Sequence, residues 1–127
     1  MEFLLYLTAK EKEILELINK AGFSIEENTP LCLLGEKYVG FTKKRQRAVV
    51  ICTENIKKNN SYPIPRSITN RTKRDSDIAI TIRKALRHEA THVAQDCNNS
   101  NLLGIIKTKS KIPYWYKRNA IKGSTSI

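Results

Sequence analysis

A helical pattern runs through DSDIAITIRKALRHEATHVAQ, residues Asp75 to Gln95. Its apolar side chains recur every three or four residues, which places them on one face of an α-helix. Asp75, Ser76 and Asp77 stand before the first apolar residue, and they are typical N-cap residues whose charge suits the positive end of a helix. A cluster of asparagines follows the pattern and ends it. The sequence therefore predicts a long helix from about Asp75 to about Gln95, with one side against a core.

The two histidines of the chain, His88 and His92, lie on this helix in the order His-Glu-x-x-His. Residues four apart on a helix are separated by about 40° around the axis and by one turn along it, so both imidazoles can bind one metal ion. Glu89 is rotated about 100° from His88 and lies beside such an ion rather than on it. Zinc suits neutral imidazoles, and it lowers the pKa of a bound water to roughly 7. We therefore predict that His88 and His92 bind zinc, and that Glu89 is the general base on a zinc-bound water in peptide-bond hydrolysis.

This motif resembles that of the zincin metallopeptidases. The apolar run Val49 to Cys52, the pair Asn55-Ile56, and Cys97, five residues after the second histidine, are also similar to the small zincin family that includes the mitochondrial ATP-synthase assembly and processing peptidase. The resemblance covers residues 48–98, apart from a basic loop within them. It implies a peptidase whose peptide or protein substrate pairs as an extra strand with an edge at Ala48–Cys52.

The sequence departs from the zincin families at the third metal ligand. Gln95 stands where the small family has Asp, and no glutamate follows Glu89 to serve as the third ligand of a gluzincin. Asn98 and Gln95 occupy the places where a metzincin has its third ligand and its glycine. The resemblance therefore leaves the third ligand of the predicted zinc site open.

The remaining candidates for the third ligand are Asp96, Cys52, Cys97, the C-terminal carboxylate, a second chain or a water molecule. Asp96 lies about 12 Å along the axis of a continuous helix from His88, so it would require a break beyond the second histidine. Cys52 and Cys97 would bind as thiolates. A site with two protein ligands holds zinc more weakly than one with three. The prediction of hydrolytic activity therefore depends on the missing third ligand, whereas the prediction that the two histidines bind metal does not.

The rest of the pattern predicts a small sheet and one more helix. Thr8 and Glu11 form a capping box before an amphipathic stretch, which predicts a helix over Ala9–Ala21. Two β-prone runs, Tyr38–Phe41 and Ala48–Cys52, flank basic residues and predict a hairpin, although periodicity leaves open whether the second run is interior or at an edge. We expect one zincin-like domain over residues 1–127, of the α+β class, with a small antiparallel sheet packed on the long active-site helix.

The chain is strongly basic, with 23 Lys and Arg against 12 Asp and Glu and a formal net charge of +11. Such a charge favours nucleic acid, an anionic membrane surface or an acidic partner. A basic loop is expected at residues 57–75, and a basic aromatic segment lies at residues 102–127. These segments support a second hypothesis, a basic protein that binds nucleic acid, a membrane or a larger assembly and whose metal site is catalytically silent. The sequence does not indicate an oligomeric state.

The cysteines and the hydropathy indicate where the protein is expected to work. Cys32, Cys52 and Cys97 are an odd number without CxxC spacing, so they predict neither a disulfide framework nor a cysteine-only zinc site. A reducing compartment such as the cytoplasm is the simplest expectation. No apolar stretch approaches the roughly 20 residues needed to cross a bilayer, and the amino-terminal segment is charged by Lys10, so we expect neither a spanning helix nor a secretory signal.

Overall fold

The computed structural model of the chain describes residues 1–60, 67–97, 105–106 and 124–126. Its α-helices are α1 (Ala9–Lys20), α2 (Thr53–Asn59) and α3 (Ile68–Cys97). Its strands are β1 (Ser24–Glu27), β2 (Gly40–Lys43), β3 (Ala48–Ile51) and β4 (Ser124–Ser126). Short 3-10 helices cover Glu2–Tyr6 and Pro30–Leu34. None of the helices in these ranges is long and apolar enough to span a membrane.

The strands form one mixed sheet in the order β1-β3-β2-β4. β2 and β3 make the expected hairpin, with Phe41 opposite Val50 across an antiparallel ladder. β1 runs parallel to β3, and β4 runs parallel to β2. The predicted antiparallel sheet is therefore right only for the hairpin. The sheet is mixed because β1 pairs with β3 rather than with β2, its neighbour in sequence.

β3 is the interior strand of the sheet. All four of its residues are buried, and both of its edges are paired, one with β1 and the other with β2. The expectation that a peptide substrate pairs with an edge at Ala48–Cys52 is therefore wrong. The continuous run of apolar residues in β3 is typical of a strand that is covered on both faces.

The helix that carries the two histidines is longer than its apolar pattern indicates. α3 begins at Ile68, about two turns before the expected start at Asp75, and it continues without a break to Cys97. The segment 57–75, expected as a basic loop, is helical at both ends, because α2 reaches Asn59. The first turns of α3 are polar, with exposed Arg71 and Lys73, so they show no apolar periodicity although lysine and arginine are good helix formers.

The main core lies between the sheet and the helices α1 and α3. β3 contributes Val49 and Ile51 to it, and the alternation of strand residues places Gly40 and Thr42 of β2 on that same face, toward α3. The predicted helix at Ala9–Ala21 is confirmed to within one residue, and its capping box is formed. This arrangement brings β2 against the middle of α3.

A smaller cluster on the opposite face of the sheet contains a disulfide. Cys32 and Cys52 are bonded, with their Cα atoms 5.6 Å apart, and they pack beside Phe41 and Val50. The sequence predicted no disulfide framework, so this bond corrects that expectation; the two cysteines are 20 residues apart and belong to no spacing motif. A disulfide is typical of oxidising compartments, and it disagrees with the expected reducing one.

Candidate metal centre

The two histidines of the motif lie side by side on α3, and both are partly exposed. Their ring centroids are 4.9 Å apart, and the ring planes are nearly perpendicular, at 89°. A zinc–nitrogen bond of about 2.0–2.1 Å puts each ring centroid roughly 3.2 Å from the ion, so two rings bound at the tetrahedral angle have centroids about 5 Å apart. The observed separation fits two imidazoles that share one ion.

Both imidazoles are biased toward the neutral form. Burial lowers the pKa of His88, and the nearby charges of His92 and Lys84 lower it further. Burial also lowers the pKa of His92, and the charge of Lys44 in the hairpin turn adds to the effect. The rings are therefore uncharged at neutral pH, which is the form that binds a metal ion.

Glu89 is fully buried, and its carboxyl group meets β2. The Thr42 hydroxyl donates a hydrogen bond to Glu89 Oε1 at 2.7 Å, and Thr42 Oγ1 is also 3.3 Å from the backbone oxygen of Glu89. The motif helix is thus attached to the sheet through the residue predicted to be the base. This attachment restrains the Glu89 side chain independently of the two histidines.

Gly40 makes room for this carboxyl group. A Cβ atom at Gly40 would lie 3.2 Å from both Cγ and Oε2 of Glu89, and 3.0 Å from the backbone oxygen of Val50. Both distances are shorter than an ordinary van der Waals contact, so a side chain at this position would push Glu89 or the sheet aside. Sequence reasoning found neither Gly40 nor Thr42, because a glycine and a threonine two residues apart carry no signal that links them to a helix that begins 25 or more residues later.

The described part of the chain does not supply a third ligand. No group of three or more His, Cys, Asp or Glu residues within it is placed to hold a metal ion. Cys52 is excluded as a thiolate by its disulfide. Asp96 and Cys97 are exposed on the last turn of an unbroken helix, and Cys97 Sγ is 4.0 Å from the backbone oxygen of Ala21. The C-terminal carboxylate lies outside the described residues.

A buried ion pair holds the motif helix against α1. Arg87, the residue before His88, places Nη2 2.5 Å from Glu11 Oε2, and the two side chains are 7% and 4% exposed. Arg87 Nη1 also donates to the backbone oxygen of Ile106 at 3.1 Å. Burial by itself would raise the pKa of Glu11, but hydrogen bonds from Thr8 and Arg87 outweigh it and leave that pKa lowered. The pair fixes the rotation of α3 about its axis, and with it the direction of the neighbouring histidine.

The turn of the hairpin carries exposed basic residues in addition to the two predicted basic segments, 57–75 and 102–127. The hairpin turn at 44–47 is exposed throughout, and it carries Lys44, Arg45 and Arg47. Of these, the charge of Lys44 acts on His92, where it lowers the pKa of the imidazole. Arg47 adopts a positive φ of 50°, which closes the turn before β3. The aromatic part of the segment at 102–127, including Tyr114 to Tyr116, lies outside the described residues.

Comparison with known proteins gives a family without an activity. A family model described as a domain of unknown function (DUF8637) matches residues 3–127. No curated protein and no solved structure matches the chain. The residues of the site are therefore what indicates a function for this chain.

Proposed function

Since the chain belongs to the DUF8637 family, whose description names no activity, we propose its function from the site: a zinc-dependent peptidase in which His88 and His92 bind the metal and Glu89 is the general base. The pair of neutral imidazoles, 4.9 Å apart on one helix, carries the proposal. Two such rings supply half of a tetrahedral zinc site, and the other positions are left for a further ligand and for water or substrate.

The side chains around the pair have separate tasks in this proposal. When bound, zinc would polarise the scissile carbonyl and make water more acidic. Glu89 takes a proton from the attacking water and returns it to the leaving amine. Thr42 restrains the Glu89 carboxylate through its hydrogen bond to Oε1, and Gly40 leaves the space in which that carboxylate lies.

The substrate strand belongs beside β2 in this proposal. Gly40 and Thr42 of β2 contact Glu89, whereas β3 is enclosed between β1 and β2. An extended peptide that reaches Glu89 by strand addition would therefore use the outer edge of β2. Backbone hydrogen bonds along that edge would orient the peptide, independently of its sequence.

Metal analysis combined with single substitutions tests the proposal. We expect purified protein to contain zinc, and His88→Ala and His92→Ala to lose it. Glu89→Gln should keep the zinc and lose hydrolysis of a quenched-fluorescence peptide library. Asp96→Asn, on the same helix but away from the pair, is the matched control and should keep both. A chelator should abolish hydrolysis, and added zinc should restore it.

Two results would refute this function. One is well-prepared parent protein without zinc that also takes up none from solution. The other is a Glu89→Gln variant that cleaves peptides as fast as the parent, because the carboxylate would then have no role as a base.

A second candidate function has support from the exposed hairpin turn. Three of the four residues at 44–47 are basic and exposed, as are Arg71 and Lys73 at the start of α3. These exposed basic residues favour a protein that binds nucleic acid by its phosphates and whose metal site is silent. Such binding should fall steeply with salt and persist in a chelator, whereas peptide hydrolysis should vanish with the chelator.

A further inference from the structure

The outer edge of β2 already has an occupant in this structure. β4, residues Ser124–Ser126, lies parallel to β2, with Ser124 opposite Gly40 and Ser126 opposite Thr42. These two β2 residues are the ones that meet the Glu89 carboxyl group. β4 also contacts α3, the helix that carries the motif. The chain therefore places its own backbone along the edge where an extended peptide would lie.

A strand edge accepts one neighbour at a time. Each backbone N–H and C=O group that points outward from β2 has one place in a ladder, and β3 takes all such places on the other edge. A peptide cannot add to β2 while β4 is paired there. Access to Glu89 along this edge thus requires that β4 leave.

β4 is a short occupant. It pairs over three residues, each of which has one register partner on β2, and it is at the lower limit of strand length in globular proteins. A longer peptide can make every backbone bond that β4 makes and add others beyond it. Displacement of the intramolecular strand by an extended peptide is therefore feasible.

We propose that Ser124–Ser126 is an intramolecular competitor of extended peptides for the outer edge of β2, and that it closes the His88–Glu89–His92 site until a peptide displaces it. The effect on turnover rests on the proposed function. The competition for the edge depends only on the pairing of β4 with β2. A tethered segment acts at a local concentration on the order of millimolar, so it competes well even when its own affinity is low.

Proline substitution in the full chain tests the competition. Proline has no backbone N–H and does not fit a paired strand, so Ser124→Pro with Thr125→Pro should release β4. Ser124→Ala with Thr125→Ala keeps both N–H groups and is the matched control. The probe is a fluorescein-labelled peptide AIKGSTSI, which repeats residues 120–127, and its binding is measured by fluorescence anisotropy. We expect the proline variant to bind the probe about tenfold more tightly than the parent or the alanine variant.

A hydrogen-exchange measurement on the parent protein keeps the test decisive if the proline variant folds poorly. A saturating amount of the unlabelled peptide should speed exchange of the amides at Ser124–Ser126, because the peptide takes their place. Equal probe affinity in folded proline and alanine variants would overturn the proposal, and so would amides that stay protected while the peptide is bound.

The turnover of the zinc-loaded variants separates this inference from the proposed function. If both hold, the proline variant should hydrolyse peptides with a kcat/KM about tenfold above that of the alanine variant, mainly through a lower KM. Tighter probe binding with no hydrolysis in any variant would uphold the competition for β2 and refute the peptidase.

Discussion

The hydrogen bond from Thr42 to Glu89 is the contact on which turnover should depend most directly. Thr42 Oγ1 lies 2.7 Å from Glu89 Oε1, and both residues are fully buried, so water cannot replace the lost donor. Thr42→Val keeps the shape of the side chain and removes the hydroxyl group. A hydrogen bond to a charged group contributes about 1.5–3 kcal/mol, and we expect the free energy of unfolding to fall by about this amount.

The same substitution should slow the chemical step. If the bond restrains the carboxylate in the transition state, its loss raises the barrier by up to the same energy, and about 1.4 kcal/mol corresponds to a tenfold change in rate. We therefore expect kcat to fall roughly 10- to 100-fold. The zinc content should not change, because the metal would be held by His88 and His92 on α3.

Thr42→Ser supplies the control for this prediction. It keeps the hydroxyl and loses one buried methyl group, which costs roughly 1 kcal/mol of stability, so its kcat should stay near that of the parent. Urea unfolding, zinc content and steady-state kinetics of the parent and both variants give the complete comparison. A Thr42→Val protein with unchanged stability and with kcat within a factor of two of the parent would show that β2 does not position the base.

Three further substitutions test the framework of the site. Gly40→Ala should lower the free energy of unfolding by about 1–3 kcal/mol and reduce turnover while zinc is retained. The reason is that its Cβ would lie 3.0 Å from a backbone oxygen and 3.2 Å from Glu89. An unchanged free energy of unfolding in chemical denaturation would contradict this prediction. Glu11→Gln leaves Arg87 buried without its counter-charge and should cost about 3–5 kcal/mol at neutral pH. Because the pKa of Glu11 is lowered from 4.5, the stability that its carboxylate contributes is fully present above pH 4.5 and is lost as the pH falls through the native pKa. Measured by urea unfolding, the parent should therefore lose this part of its free energy of unfolding in acid, and the Glu11→Gln variant should not. Replacing Cys32 and Cys52 together by serine should cost roughly 3 kcal/mol, since the bond closes a loop with a sequence separation of 20, and thermal unfolding with and without a reductant measures it.

The features that sequence reasoning predicted correctly are local ones. The capping box of Thr8 and Glu11 and the apolar stripe of α1 lie within a few turns of one another, and they gave the helix to within one residue. The hairpin of β2 and β3 is similarly encoded by two β-prone runs around a short basic turn. The helical setting of His88 and His92 follows from the residues that flank them. In each case the signal and the structure that it predicts lie within the same short segment.

The features that it missed join distant parts of the chain. The sequence indicates Glu11 only as the capping-box partner of Thr8, yet Glu11 is also buried against Arg87, 76 residues later. The parallel pairing of β1 with β3 and the bond between Cys32 and Cys52 also depend on how separate segments pack. The polar start of α3 had no apolar periodicity from which to extend the helix back to Ile68. A single sequence records which side chains can be buried, but not which of them meet.

This difference between local and distant signals bears on the candidate site itself. One helix is sufficient to bring the ring centroids of His88 and His92 to 4.9 Å from each other, so the motif alone indicates a capacity to bind metal. The proposed base also depends on a distant segment. Glu89 is restrained by Thr42 and accommodated by Gly40, which belong to a strand that ends 46 residues before Glu89 in sequence. A His-Glu-x-x-His helix that lacks such a strand keeps its pair of imidazoles and loses the restraint on its carboxylate. In the proposed peptidase, hydrolysis therefore depends on the contact between α3 and β2, and the edge of β2 that β4 covers is where the proposed activity can be controlled.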